Sequence, residues 1–294
     1  TYKDLLNRHI GDGRLKAVLS DRCPFYGLPA SRVSAVAMAA LMMSYFDSGA
    51  WRVKGGSQRL AEAIVKGIKT KGSTVLMSTS VTKILTEGGR ARGIETSCKE
   101  RYTAKAVISA VDFHTTFDRL LSDELCSKDA LGQRLPPVSS SFFILYAAMK
   151  GDLGSIARSS SIGWYPSFDM EANFTPEASF SETGSIGITI PTVTDSSMAP
   201  AGIHSITAHE MCDISFSADW KRDKQIFTEK ILRKVERVIP GITADAVHIE
   251  AATPLTLERY TNNSRGAAYG WVQTQGMRPL KTFLDGLYLA GHWE

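Results

Sequence analysis

The chain has 294 residues, of which 43% are hydrophobic and 22% charged, a balance that excludes a disordered polypeptide and allows either two lobes or one large α/β domain. Its 34 Lys and Arg against 30 Asp and Glu leave a net charge of +4. The basic residues are scattered, so no nucleic-acid partner is indicated, while an anionic membrane surface would attract the chain weakly.

Residues 2–19 pattern as a helix, a turn and a second helix, with apolar positions at Leu5, Leu6, Ile10, Leu15, Val18 and Leu19. Pro24 and Pro29 mark a loop. Ser31 is placed to cap a helix over residues 33–46, whose apolar side chains lie all round it and call for burial or a greasy contact. That run is shorter than the roughly 20 residues needed to span a bilayer. Asp47-Ser48-Gly49 ends it, and Lys54-Gly55-Gly56-Ser57 opens the next helix, with Ser57 as N-cap and Leu60, Ile64 and Ile68 on one face. Strands are expected over residues 73–78, 81–87 and 92–96, with Gly88-Gly89 as a hairpin turn of positive φ. Residues 106–111 read as a strand buried on both faces.

From about residue 117 the pattern changes to antiparallel strands over 140–149, 185–191 and 204–211, separated by Gly, Pro and Ser-rich loops. A polar, aromatic-dotted loop over 158–182 follows the first of these. An amphipathic helix over 220–238 places Ile226, Ile231, Leu232 and Val235 on one face and stops at Pro240-Gly241. The chain then returns through 246–291 to Leu287-Tyr288-Leu289-Ala290, an apolar run between glycines that reads as another buried parallel strand. Ligands of open α/β sheets sit beyond the carboxyl ends of such strands. The expected fold is therefore α/β: a helical segment over 1–49, part of a cofactor lobe over 50–116, an inserted α+β substrate lobe with an antiparallel sheet over 117–245, and a return to the cofactor lobe over 246–294.

Gly55 and Gly56 either turn the chain or let its backbone pass flat against a ring system where a Cβ would collide. Gly266-Ala267-Ala268-Tyr269-Gly270-Trp271 offers small residues beside a flat ligand and two aromatics to wall an apolar cavity, and a loop packed on the core would look the same. Val81 reads as a core strand residue. Cys23, Cys98, Cys126 and Cys212 form no paired motif, which argues against a disulfide or metal framework and for a reducing compartment. The six histidines show no metal-binding spacing, and His204 and His209 on one strand face opposite sides. No Gly-x-Ser-x-Gly elbow is present, and no catalytic acid or base is assigned.

Taken in order, the Gly55-Gly56 turn, the strands to residue 112, Thr253-Pro254-Leu255-Thr256-Leu257-Glu258-Arg259-Tyr260, residues 265–271 and Leu289-Ala290-Gly291-His292-Trp293 carry a resemblance over nearly the whole chain. The chain resembles the phytoene desaturase and carotenoid isomerase branch of the FAD-dependent amine oxidase superfamily. The resemblance implies a partial Rossmann-like FAD-binding lobe and a flavin-dependent oxidoreductase acting by hydride transfer on a long apolar polyene or isoprenoid such as a carotenoid. Desaturation ranks first, with cis/trans isomerisation or saturation of a retinol-type polyene as the alternative.

By the same resemblance Gly55, Gly56, Ser57, Gly291 and His292 lie at the FAD, the backbone of Val81 holds adenine, and Ser109 and Ala110 leave room for the ADP portion. Tyr269 and Trp271 stand on the substrate side of a long apolar cavity bordered by residues 33–46. A non-catalytic prenyl-binding escort shares the superfamily fold, but it has no reason to keep both the glycine pair and residues 266–271. Family members begin with a strand and a Gly-x-Gly-x-x-Gly turn that grips the FAD pyrophosphate. Gly11-Asp12-Gly13 follows no strand and lacks the third glycine, so the chain is expected to start after that segment and to stop before a last FAD-contacting helix. A cytoplasmic or plastid location, peripheral to a membrane, completes the expectation.

Overall fold

The computed structural model describes residues 1–121, 135–151, 153, 159–175, 179–181, 184–274, 282 and 284–293. Cys126 and parts of the loop expected over 158–182 lie outside the described residues.

The N-terminal helices form as the periodicity predicts. Helix α1, Tyr2–His9, is held by a capping box between Thr1 and Asp4, and α2, Gly13–Leu19, by the Asp12 carboxylate, which accepts from the amides of Arg14 and Leu15. Helix α3, Ala35–Ser48, starts two residues later than expected, because its cap is Ser34 rather than Ser31. The Ser31 hydroxyl instead donates to Glu171 Oε2 at 2.6 Å, tying this segment to a distant loop. Tyr2, Leu6, Cys23, Leu28, Val33 and Met38 form the core here. Burial of the Cys23 thiol pushes its pKa up to about 12, so it packs as a small apolar group. Met38 is the one buried residue of α3. Val36, Met43 and Phe46 face solvent along one side, with Trp51 just beyond.

Helix α4, Ser57–Thr70, is capped by Gly56 at φ +90°, with no side-chain cap bond, so Ser57 is its first helical residue and not its N-cap. The Leu60, Ile64 and Ile68 stripe is exposed, and no residue of α4 is buried. Strands β1, Val81–Glu87, β2, Arg90–Thr96, and β3, Arg101–Thr103, make an antiparallel sheet. Gly88 and Gly89, at φ 55° and 73°, form the hairpin turn. Residues 73–78 form no strand. Among the described residues they find no pairing partner, Leu76 and Met77 stay exposed, and Ser78 turns to φ 53°. Strand β4 is only Val107–Ser109.

Strands β5, Ser141–Lys150, β6, Ser161–Trp164, β7, Ile186–Thr189, and β8, Ile203–Cys212, pair antiparallel with β9, Ala246–Ala252, in the order β6-β7-β8-β5-β9. Buried residues alternate along the whole of β5 and along β8 from Ser205 onward. One sheet face, with Phe143, Leu145, Ile206 and Ala208, packs under helix α5, Trp220–Val238. The buried face of α5 is Trp220, Phe227, Ile231, Lys234 and Val235; Ile226, expected among them, is exposed because the stripe runs through Phe227 instead. Lys234 reaches Glu210 of β8 at 2.8 and 2.9 Å, with both side chains at least 95% buried, and Glu210 also accepts from the Phe180 amide at 2.6 Å.

A short helix α6, Ile242–Asp245, precedes β9, and helix α7, Pro254–Thr261, follows it with Thr253 as cap. Strand β10, Leu287–Leu289, pairs parallel with β4, Leu287 opposite Val107. Parallel pairing was the expectation, but burial is one-sided. Leu287 is buried in a core with Ile84, Phe113 and Trp271, whereas Ile108 and Tyr288, opposite each other, are 69% and 58% exposed.

Candidate functional site

The sheet face opposite α5 is the floor of a cavity of about 680 Å³, roofed by residues 17–25 and 165–174. Phe142, Gly187 and His209 belong to the floor and Tyr269 closes one wall. The Tyr269 hydroxyl donates to the Pro24 carbonyl at 2.7 Å, its amide donates to Ser139 Oγ, and its ring lies over Gly27, where a Cβ would come within 2.7 Å of it. Burial raises the Tyr269 pKa, which keeps the phenol a neutral donor. The Phe142 ring stands edge-on to both Tyr269 and His209, at 5.8 and 5.2 Å.

Three expectations about this cavity need correction. Trp271 does not line it: the indole is 1% exposed, packed on Phe113 and Trp293, and it donates Nε1–H to the Trp293 carbonyl. The residue after Gly270 points into the core as Tyr269 points out of it. Helix α3 does not border the cavity either; the preceding turn with Arg22, Pro24 and Phe25 does, because Met38 anchors α3 in the N-terminal core. Nor is the lining wholly apolar, since Asp21, Arg22 and His209 all contribute to it.

The expected cofactor residues fall into three places. Ser109 and Ala110 end β4, Gly291 and His292 follow β10, and the Ala290 amide donates to the Ser109 carbonyl at 3.0 Å, so these four meet at the carboxyl edge of the parallel pair. Ala110 and Gly291 are exposed there, while the Ser109 hydroxyl turns inward to Thr116 at 2.8 Å. Gly270 packs so closely on His292 that a Cβ would collide with the His292 carbonyl. The His292 ring is held by Asn263 at 3.3 Å, and Asn263 also accepts from Trp293 Nε1. Tyr269 in the cavity wall and His292 at the strand ends are thus joined through one glycine.

Gly55 and Gly56 lie elsewhere. The Gly55 amide donates to Asp195 Oδ2 at 2.7 Å, and a Cβ on Gly56 would come 2.9 Å from Met198 Cε. The Asp195 pKa is lowered, first by the Ser197 hydroxyl and then by the Gly55 amide. Arg52 reaches the Ser160 carbonyl, which places this turn against the strand that enters the cavity floor. Val81 sits apart at the start of β1, partly exposed. Among the described residues no cluster of His, Cys, Asp and Glu is arranged to hold a metal ion.

A family described as flavin containing amine oxidoreductase matches residues 8–293 of the chain. The chain belongs to this family. It is 29% identical over 254 residues to the chloroplastic prolycopene isomerase of Daucus carota, covering 81% of the chain and 39% of that protein. To the zeta-carotene-forming phytoene desaturase of Myxococcus xanthus it is 26% identical over 285 residues, covering 92% of the chain and 52% of that protein. The chain therefore spans about two fifths to half the length of these relatives. An oxidoreductase from Methanosarcina mazei superposes over 100% of the chain and 63% of its own with a TM-score of 0.66 at 18% identity, which establishes the shared fold.

For a flavin-containing family member, the strand-end group offers what a flat cofactor requires: exposed Ala110 and Gly291 with open space above the latter, beside a glycine-packed His292. The residues present fit the group at this edge. Sequence reasoning found this edge but missed Gly163, Gly187, His209 and Asp21. Their one visible signal was two glycines within strand-like runs; the pairing register aligns Gly163, Gly187 and His209, and Asp21 comes from the turn after α2.

Proposed function

We propose that the chain is the polyene-handling part of an FAD-dependent oxidoreductase, in which residues 50–116 and 246–294 contribute to the FAD side and residues 117–245 to the substrate side. Tyr269 and His292 carry this reading, because the wall of a large cavity and the carboxyl edge of a parallel sheet meet there across Gly270. Ala110, Gly291 and His292 would lie along the FAD, with Ser109 contributing small size and backbone and Gly55, Gly56, Ser57 and Val81 completing the contact set. Bound FAD supplies hydride exchange. The chain's own residues bind and orient a long polyene or isoprenoid, and Phe142 and Tyr269 keep water from it. Desaturation is the first reading, as in the phytoene desaturase relative, and cis/trans isomerisation the second, as in the prolycopene isomerase relative.

A carotenoid-sized substrate resides in a bilayer, which calls for peripheral contact with lipid. No helix among the described residues is long and apolar enough to cross a membrane. Val18, Phe25 and Phe168 at the cavity, and Val36, Met43 and Phe46 on α3, are exposed large apolar side chains that support such contact. A reducing compartment, cytoplasm or plastid, fits the free Cys23, Cys98 and Cys212.

The test is product analysis by chromatography after incubation of the protein with FAD and with phytoene or prolycopene in liposomes. Conversion of either polyene by protein that carries flavin absorbance is the expected result. Protein that takes up no FAD would remove the cofactor, and flavin-loaded protein that converts neither polyene would remove the substrate class.

A further inference from the structure

Asp112 lies just beyond the end of β4 and is 1% exposed. A helical run over 113–120 starts directly after it, and Asp112 Oδ1 accepts from the amide of Thr115, the third residue of that run, at 3.1 Å. That is the bond of an N-cap, and a cap needs only one oxygen. The other oxygen, Oδ2, accepts from the amide of Ser264, 152 residues along the chain. The backbone of Asp112 is fixed as well. Its carbonyl accepts from the Thr116 amide at 2.9 Å and from the Thr116 hydroxyl at 3.0 Å, so the Ser109 hydroxyl donates in turn to Thr116 Oγ1 at 2.8 Å. One buried carboxylate is thereby tied to the carboxyl end of β4 and to a remote turn at once.

That turn holds the other half of the strand-end group. Asn263, next to Ser264, brings Nδ2 to His292 Nε2 at 3.3 Å, and its Oδ1 accepts from Trp293 Nε1 at 3.1 Å. On the other side, Arg265 sits at φ 61°, in the left-handed region where a non-glycine residue stays only if its surroundings hold it. Glu258 accepts from the Arg265 amide at 3.0 Å and Asp213 from its guanidinium at 2.6 Å, both bonds being exposed. A second link between the turn and the segment after β4, from Thr115 Oγ1 to the Asn262 carbonyl, is exposed and 3.5 Å long. The charge-assisted bond from Ser264 to Asp112 is the stronger of the two.

We propose that Asp112 is a positioning residue for the cofactor edge: through the Ser264 amide it sets the 263–264 turn, and through Asn263 it orients the His292 ring beside the ends of β4 and β10. The proposal rests on the FAD reading above and adds to it the group that holds this edge in shape before FAD arrives. A carboxylate suits the task because it offers one acceptor to each of two amide donors. Asn offers an acceptor and a donor, and Ser a single hydroxyl. Losing one bond to a buried charged acceptor should release the turn by about ten- to a hundredfold.

Asp112→Ser and Asp112→Asn each keep a capping acceptor for Thr115 and remove the acceptor for Ser264. Were Asp112 a cap and nothing more, both variants would behave as wild type. Hydrogen exchange of the cofactor-free protein, read by mass spectrometry, should instead quicken about ten- to a hundredfold across 262–271. FAD affinity, read from the quenching of flavin fluorescence, should fall at least about tenfold. Asn263→Ala cuts the same path one residue on and should weaken FAD to a similar degree, with Asp112→Ser adding little to it because the two act in series. Wild-type exchange or wild-type FAD affinity in either folded Asp112 variant overturns the proposal and leaves the FAD reading standing. Wild-type protein that takes up no FAD removes that reading and the proposal with it. Where circular dichroism shows that neither Asp112 variant folds, Asn263→Ala decides: weakened FAD binding supports the proposal and unaltered binding overturns it.

Discussion

Replacing Lys234 with Met removes the cation from a buried ion pair while keeping most of the aliphatic stem. The carboxylate of Glu210 then stays in the core, 5% exposed, with the Phe180 amide as its remaining hydrogen-bond donor among those described. Stranding one charge of a buried pair costs about 3–5 kcal/mol. Against a total stability of about 5–15 kcal/mol that is about a fifth or more of what holds the fold. For a chain of this size it lowers the thermal midpoint by about 6–10 °C.

The direction with pH follows from the Glu210 pKa, which burial raises above 4.5 and which Lys234 pulls back down. A raised carboxyl pKa means that the folded state holds the proton more firmly than the unfolded state, so stability falls as pH rises from 4.5 through the folded value. Without Lys234 the folded value climbs further. The destabilisation of Lys234→Met should therefore be least below the unfolded carboxyl value and grow as the pH rises. Glu210→Gln combined with Lys234→Met removes both charges, keeps an oxygen for the Phe180 amide, and should recover at least half of the loss. Urea titrations at pH 5 and pH 8 on the wild type, both single variants and the double variant decide the matter. Single variants within about 1 kcal/mol of wild type, or a double variant no better than the worse single one, would refute the argument that the pair is buried and coupled.

Two further outcomes follow from the exposed and turning parts of the molecule. Gly56→Val places a β-branched side chain at φ +90° against Met198, and should abolish flavin retention by the FAD-loaded protein while leaving its far-ultraviolet spectrum largely intact; unchanged flavin content would reduce Gly55-Gly56 to a turn. Phe46→Asp with Trp51→Asp should lower flotation with anionic liposomes without changing the thermal midpoint, since both side chains are at least 75% exposed; undiminished flotation would move lipid contact away from α3.

Where local periodicity and tertiary contact agree, the fold was legible. Helix α5 has the limits its pattern predicts, ended by Pro240-Gly241, and the alternation in β8 is the alternation of its burial. Where the outcome depends on a neighbour, sequence reading fails in instructive ways. The 73–78 run is rich enough in apolar residues for a strand but lacks a pairing partner among the described residues, and Ser34 wins the α3 cap because Ser31 has a better partner in Glu171, 140 residues away. The strand-end group at Ser109, Ala110, Gly291 and His292 could be read in advance because parallel strands present their carboxyl ends together. The row of Gly163, Gly187 and His209 across the cavity floor could not, since it needs three strands in a register no local pattern specifies.

The parallel ribbon of β4 and β10 has a consequence for how the chain behaves in solution. Parallel sheets occur almost only with both faces covered, yet here Ile108 and Tyr288 lie bare, with the apolar stripe of α4 also unburied. Among the described residues β4 and β10 pair as strands only with each other, so each has an outer edge that can serve as a template. A strand added at either edge would pair along it and cover apolar surface that now meets water. Such binding stabilises the folded chain by mass action, so its melting temperature should rise with the concentration of whatever sits there.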